Sequence, residues 1–374
     1  MTTMHTLNPT ADPATDIDEV ARLIRADGTR VCDGELDPWV DDVDHAFLRD
    51  LYRDMSLVRR VDTEGVALQR QGELGLWAPC RGQEAAQVGT ARALRPDDFV
   101  FPSYRELGVG LVRGAEPADV VLSWRGEVHA TYDPQRMRTA PPQIIIGAQS
   151  LHAVGYAMGI QRDRGGEIAV AYFGDGATSQ GDVHEGFVWA AAYDAPLVFF
   201  CQNNQWAISV PLDRQTRVPL YQRARGYGFP GVRVDGNDVL ACLAVTRWAL
   251  EECRTGNGPV LVEAFTYRMD SHTTSDDATR YRLADEVELW KLKDPIERVR
   301  VHLSRRHGVE PEFFEGVDAE ADALGERLRA FCRAMPQPGP ERMFSEVYAA
   351  ASPQVDAQRA EYLAYHASFV DEEG

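Results

Sequence analysis

Between Glu167 and Gln202 the chain runs apolar segment, turn, helix, apolar segment, and that succession leaves little choice of architecture. EIAVAYF (167–173) reads as a strand buried on both faces, and GDGATSQGD (174–182) as a turn. VHEGFVWAAAYD (183–194) reads as a helix, and PLVFFCQ (196–202) as a second buried strand. Strand, helix and strand in so short a stretch form a βαβ unit, with parallel strands and a right-handed crossover. A helix at Leu240–Thr255 followed by PVLVEAFTY (259–267) repeats the pattern. The expected fold is α/β: a parallel sheet flanked by helices, with helical N- and C-terminal extensions.

Other stretches are placed around this frame. From Asp44 to Gln71 the apolar residues Phe47, Leu48, Leu51, Tyr52, Met55, Val58 and Val61 keep a helical period. Gln83–Leu94 predicts a second helix, small on one side (Ala85, Ala86, Gly89, Ala93) and so suited to close packing. PDDFVFPSYREL (96–107) reads as a strand-like piece ending in a loop. Residues 126–143 read as a long loop, and a long loop in a compact domain is often functional. Ile144–Gly159 reads as an apolar piece running into a small-residue helix. The chain is helical and charged from Val287 on. Residues 1–43 are read as a flexible arm with one short helix at Asp18–Ala26, residues 44–335 as the α/β domain, and 336–374, after the break PQPGPE, as a helical extension.

Charge and composition exclude several classes. The 39 basic residues against 58 acidic ones leave a net charge of −19, which repels nucleic acid and anionic membrane surfaces. No run of about 18 apolar residues predicts a membrane span. The N-terminus lacks both a secretory signal and the Arg-rich character of a transit peptide. The 6 cysteines form no CxxC, so they read as reduced thiols of a cytoplasmic protein without a zinc centre.

The chemistry gathers at two strand ends. In open parallel sheets ligands bind beyond the carboxyl ends of the strands. GDG (174–176) stands there: its glycines let backbone approach a ligand, its N–H groups can hold phosphate, and Asp175 brings a carboxylate. One βαβ unit later the second strand ends in Gln202-Asn203-Asn204. A carboxylate and an amide oxygen at one sheet edge suit a hard divalent cation that shares oxygen ligands with phosphate. A dinucleotide site at the same turn lacks GxGxxG and its acidic ribose ligand.

The whole segment GDGATSQGDVHEGFVWAAAYDAPLVFFCQNN resembles the thiamine-diphosphate motif, which opens on GDG and closes on NN. LQRQGELG, RGQEAAQVG, FPSYREL, IGAQSLHAVG, NNQWAIS, VRVDGNDV and TYRMDSHTTSDDATRYR, in that order between about 45 and 350, resemble the alpha subunits of pyruvate and branched-chain 2-oxo acid dehydrogenases. The resemblance implies a thiamine-diphosphate-binding fold, thiamine diphosphate and Mg²⁺ as cofactors, and a 2-oxo acid as substrate. It implies Asp175, Asn204 and the Trp206 carbonyl as metal ligands. Gly176 and Ala177 are implied against the diphosphate, with Tyr104 and Arg105 contacting it, the latter through a guanidinium fork suited to phosphate. Ile144 and Ile146 are implied to hold the aminopyrimidine through their backbone.

His272 is implied as the histidine of the active-site loop, beside the cofactor and the arriving lipoyl group; its ordinary pKa, near the working pH, suits proton transfer. Ser271, Thr273, Thr274 and Ser275 resemble a segment phosphorylated in some relatives. Two positions depart from the pattern: Gln202 stands in the cofactor site where branched-chain relatives can carry an arginine, and Leu107 where some relatives have histidine.

The resemblance also implies partners. A glutamate that activates the cofactor belongs to a beta subunit, so the site would lie between chains of an α2β2 heterotetramer and hand its acyl group to lipoyl-lysine on a dihydrolipoyl acyltransferase. VDGNDV and SHTTSDD favour branched-chain 2-oxo acids; GAQ (147–149) and NNQWAIS keep pyruvate as the alternative. A scaffold subunit without chemistry is the remaining reading, opposed by the intact Asp175, Asn204, Arg105 and His272.

Overall fold

The computed structural model describes residues 20–126, 132–336, 339, 341–345 and 347–370. It divides into two compact units, Met1–Ala330 and Phe331–Gly374, the second beginning slightly before the Pro-rich break.

In the first unit, α1 (His45–Arg70) starts where Asp44 accepts a hydrogen bond from Phe47 N–H at 2.8 Å, and it buries the expected stripe Leu48, Leu51, Tyr52, Met55, Val58 and Val61. Next come α2 (Glu84–Ala93), β1 (Phe99–Phe101), α3 (Leu107–Val112), α4 (Pro117–Arg125), α5 (Pro134–Met137) and α6 (Ala148–Asp163). The expected loop at 126–143 therefore contains a helical turn, and its residues 127–131 lie outside the described ones. The βαβ unit follows as β2 (Ala169–Gly174), α7 (Gly181–Ala192) and β3 (Leu197–Asn203). A hairpin of β4 (Trp206–Ala207) and β5 (Val210–Pro211) leads through α8 (Leu212–Gln215) and α9 (Arg223–Tyr227) to β6 (Gly231–Asp235), α10 (Val239–Arg254) and β7 (Val260–Phe265). Helices α11 (Ala284–Lys291), α12 (Pro295–His307) and α13 (Pro311–Ala334) close the series. The second unit holds α14 (Arg342–Ser345) and α15 (Pro353–Val370).

The main sheet has five parallel strands in the order β1-β2-β3-β7-β6. Alternation along each strand sends side chains into two apolar layers. Val170, Tyr172, Val198, Phe200 and Val262 join the layer of α1, α2 and α10. Ala169, Ala171, Phe173, Leu197 and Phe199 join that of α6 and α7. The small face of α2 has the expected use: a Cβ on Gly89 would stand 2.6 Å from the Val239 carbonyl oxygen, so only glycine lets α2 lie against the start of α10.

The N-terminal expectation needs correction. Residues 1–19 lie outside the described ones, but 20–43 are no loose arm and form no helix at 20–26. Ala21 pairs in parallel with Val234 beside β6, and Leu23, Ile24, Leu36 and Val40 are buried in the main core. Asp238 Oδ2 accepts from the backbone N–H groups of Leu23 (2.7 Å) and Ile24 (2.5 Å). No helix among the described residues is long and apolar enough to cross a membrane. Cys32, Cys80, Cys201, Cys242 and Cys253 are free thiols.

Candidate cofactor and active site

A cavity of about 230 Å³ opens at the carboxyl ends of β1, β2, β3 and β7. Each strand delivers one part of its wall. The segment after β1 brings Tyr104 and Arg105; the turn after β2 brings Asp175, Gly176 and Ala177; the end of β3 brings Gln202 and Asn204; the loop after β7 brings Arg268 and His272. The hairpin adds Trp206. The register sets this convergence, because Gly174 lies opposite Gln202 and Asn203 opposite Phe265. Asp175 and Asn204 thus leave neighbouring strands at one rim.

Asp175 is 1% exposed, and burial pushes its carboxyl up to about 6, opposed by hydrogen bonding from Gln215 and Asn204 and by the charge of Arg268. Gln215 Nε2 donates to Oδ2 at 2.9 Å. No basic side chain forms an ion pair with this carboxylate among the described residues. Asn204 Nδ2 donates to Gln83 Oε1 at 3.2 Å, and its Oδ1 accepts from Trp206 N–H at 3.3 Å. A buried carboxylate without a counter-ion beside an amide oxygen fits a hard cation. The Trp206 carbonyl lines the same rim and accepts from Arg268 Nη1 at 2.8 Å. Among the described residues no group of three or more His, Cys, Asp or Glu side chains gathers that could hold a metal. Gly176 is required by space: a Cβ there would meet Ala207 Cβ at 2.8 Å, so glycine lets the turn close on the hairpin.

His272 is held from every side. Arg105 Nη2 lies 3.1 Å from its Nδ1 and 2.8 Å from its carbonyl oxygen, Tyr104 Oη lies 3.3 Å from Nε2, and the His272 N–H donates to Asp276 at 2.8 Å. Guanidinium only donates, so Nδ1 accepts and the ring proton sits on Nε2. Burial, then the charges of Arg105 and Arg268, push the imidazole down to about 3. The surroundings thus favour the neutral imidazole over the ordinary pKa of a free histidine.

Gln202 lines the cavity with both ends of its amide engaged. Its Nε2 donates to Glu106 Oε1 at 2.6 Å and its Oε1 accepts from Gln87 Nε2 at 3.0 Å, so both ends are engaged within the wall. Ile146 lines the cavity; Ile144 lines a separate apolar cavity of about 140 Å³ behind Tyr104 and Arg105. The two isoleucines are 41% and 72% exposed, so they are not core residues. Sequence reasoning missed Gln83, Glu106 and Arg268. Arg268 is 1% exposed and sits just past a buried strand, the same signal that singled out Asp175 and Asn204.

A parallel sheet with a buried acid and amide at adjacent strand ends defines a cofactor-type α/β enzyme site. The model of the dehydrogenase E1 component family matches residues 52–341, and the chain belongs to that family. It is 48% identical over 347 residues to the 3-methyl-2-oxobutanoate dehydrogenase subunit alpha of Mycobacterium tuberculosis, covering 92% of this chain and 94% of that one. It is 38% identical over 320 residues to the pyruvate dehydrogenase E1 component subunit alpha of Acholeplasma laidlawii, covering 84% and 92%. The corresponding Staphylococcus aureus subunit is 40% identical over 269 residues, covering 71% of this chain and 73% of its own length.

Proposed function

We propose that this chain is the alpha subunit of a branched-chain 2-oxo acid dehydrogenase, acting with thiamine diphosphate and Mg²⁺ on 3-methyl-2-oxobutanoate or a close analogue. A beta subunit would complete the site in an α2β2 assembly, and lipoyl-lysine of a dihydrolipoyl acyltransferase would receive the acyl group. The observation that carries the reading is the buried, counter-ion-free Asp175 beside Asn204 at two adjacent strand ends. The 48% identity to a 3-methyl-2-oxobutanoate dehydrogenase subunit supports the branched-chain substrate.

Asp175, Asn204 and the Trp206 carbonyl would hold the metal. Gly176 and Ala177 would lie against the diphosphate, with Tyr104 and Arg105 on the facing wall and Ile144 and Ile146 beside the aminopyrimidine. Bound thiamine diphosphate supplies the carbon nucleophile and the electron sink for loss of CO₂. Arg105 positions His272 and fixes its ring proton on Nε2, from where it would donate a hydrogen bond toward the arriving lipoyl group.

The test is co-expression with a neighbouring beta-subunit reading frame and assay of decarboxylation with a dye acceptor. The expected result is turnover that requires thiamine diphosphate and Mg²⁺, with kcat/KM about tenfold or more higher for 3-methyl-2-oxobutanoate than for pyruvate, the discrimination that added methyl groups allow. Preference for pyruvate would move the assignment to the reaction named for the Acholeplasma and Staphylococcus subunits. Turnover indifferent to cofactor and metal would end it.

A further inference from the structure

Gln83 has a part in the site that its sequence position did not announce. It is completely buried and lines the cavity between Asn204 and Arg105. A chain of hydrogen bonds fixes its polarity. Trp206 N–H donates to Asn204 Oδ1, so the other end of that amide, Nδ2, must donate to Gln83. Gln83 must then present Oε1 to Asn204, which leaves its Nε2 as the free end. That Nε2 is buried and has no acceptor. A stranded amide donor costs about 1–3 kcal/mol, and such groups are rare unless a ligand or water completes them.

The surroundings say what kind of acceptor fits. Gln83 is the N-cap residue of α2, a helix of 10 residues, and so stands at the positive end of its dipole. The one acidic residue of that first turn, Glu84, is already taken up: Arg59 Nε lies 2.8 Å from its Oε1, and Gly82 N–H donates to its Oε2 at 2.8 Å. At the same time Gln202, the position where an arginine would have brought charge to this wall, is committed to Glu106 and Gln87.

We infer that Gln83 is a ligand-binding residue of the site, its Nε2 donating to a phosphoryl oxygen of the diphosphate while its Oε1 holds Asn204 in the orientation that metal binding needs. The inference rests on the thiamine-diphosphate reading above. It adds a neutral donor to the diphosphate cradle of a chain that lacks the arginine.

Two substitutions separate donation from scaffolding. Gln83→Glu keeps an oxygen to accept from Asn204 but replaces the donor with an acid. Gln83→Met removes both functions. Thiamine diphosphate is titrated by calorimetry into the alpha–beta complex at fixed Mg²⁺ for wild type and both variants. The expected result is that wild type binds and both variants bind at least about tenfold more weakly, the loss of a hydrogen bond to a charged group. Wild-type affinity in Gln83→Glu with weakened binding in Gln83→Met would reduce Gln83 to a support for Asn204 and overturn the inference, leaving the cofactor reading intact. Wild-type affinity in both variants would overturn it equally. Absence of binding by wild type would remove the cofactor reading and this inference with it.

Discussion

Arg105 Nη2 lies 3.1 Å from Nδ1 of His272, and this contact fixes the tautomer of the histidine in the cavity wall, while burial, then the charges of Arg105 and Arg268, hold its pKa down. Its folded pKa of about 3 lies below the 6.5 of a free imidazole. Between those values the unfolded chain binds a proton that the native chain refuses, so His272 withdraws stability as pH falls from about 6.5 toward 3. Wild-type His272 should stay neutral at pH 5 in a ¹³C-histidine NMR titration. Arg105→Met removes a positive charge that, after burial, does most to hold the imidazole low, and should move the titration upward. A His272 that titrates near 6.5 in wild type would contradict the geometry. His272→Ala should slow reductive acylation of a lipoyl domain while leaving cofactor affinity within a few-fold; an unchanged acylation rate would remove the proton-transfer role.

Asp175 titrates in the opposite sense. Its folded pKa of about 6 exceeds the unfolded 3.8, so the native chain holds the extra proton between those values. Its contribution to the stability of the cofactor-free protein is present below about 3.8 and is lost as pH rises through about 6. A cation needs the ionised form, so Mg²⁺-dependent binding of thiamine diphosphate should be flat above pH 6 and weaken by about tenfold per unit below it. Asp175→Asn should abolish that binding. The same variant should raise cofactor-free stability at pH 8 by no more than about 3 kcal/mol, the ceiling set by the shift from 3.8 to about 6. Calorimetric titration and denaturant melts read the two effects; a variant that loses binding and stability together would deny that the carboxylate is strained by burial.

Gln202 should act on the fold of the wall more than on the ligand. Gln202→Leu takes one donor from buried Glu106, whose carboxyl burial already pushes upward, and one acceptor from Gln87. The expected loss is about 1–3 kcal/mol of stability. Cofactor affinity should change by less than about tenfold, because the side chain's polar ends are turned into the wall. Unfolding curves that match wild type, combined with a collapse of affinity, would mean that Gln202 contacts the cofactor directly.

The legible part of this molecule is the part whose signal is local. The βαβ unit announced itself because a strand buried on both faces is a continuous apolar run, and Asp175 and Asn204 followed because they stand immediately beyond two such runs. His272, Arg105 and Tyr104 entered through a resemblance in motif order, and the structure brings all three to one cavity. What escaped notice depends on pairs distant in sequence. Gln83 and Asn204 are 121 positions apart, Gln202 and Glu106 are 96 apart, and neither pairing leaves a periodicity to read. The downward shift of the His272 pKa is not legible for the same reason, since it takes burial first and then the charges of Arg105 and Arg268, from two different loops, to impose it. Leu23, Ile24, Leu36 and Val40 carry no local signal of burial, because Val234 and α10, with which they share a core, come about two hundred residues later.

That N-terminal attachment hangs on Asp238. Its Oδ2 accepts from Leu23 and Ile24 N–H, while its Oδ1 accepts from Leu240 and Ala241 N–H, both at 3.1 Å, and caps α10. Asp238→Ala strands two buried backbone donors at about 1–3 kcal/mol each and removes a cap worth about 1 kcal/mol, so the expected loss is about 3–7 kcal/mol. Asp238→Asn keeps a single carbonyl oxygen and should fall between the two. The loss should be local first: limited proteolysis within 20–43 should accelerate in the alanine variant, whereas Asp175 and Asn204 depend on β2 and β3 and should still bind cofactor once the chain is folded. Proteolysis of this segment at the wild-type rate would show that apolar burial of Leu23, Ile24 and Leu36 holds it without the carboxylate.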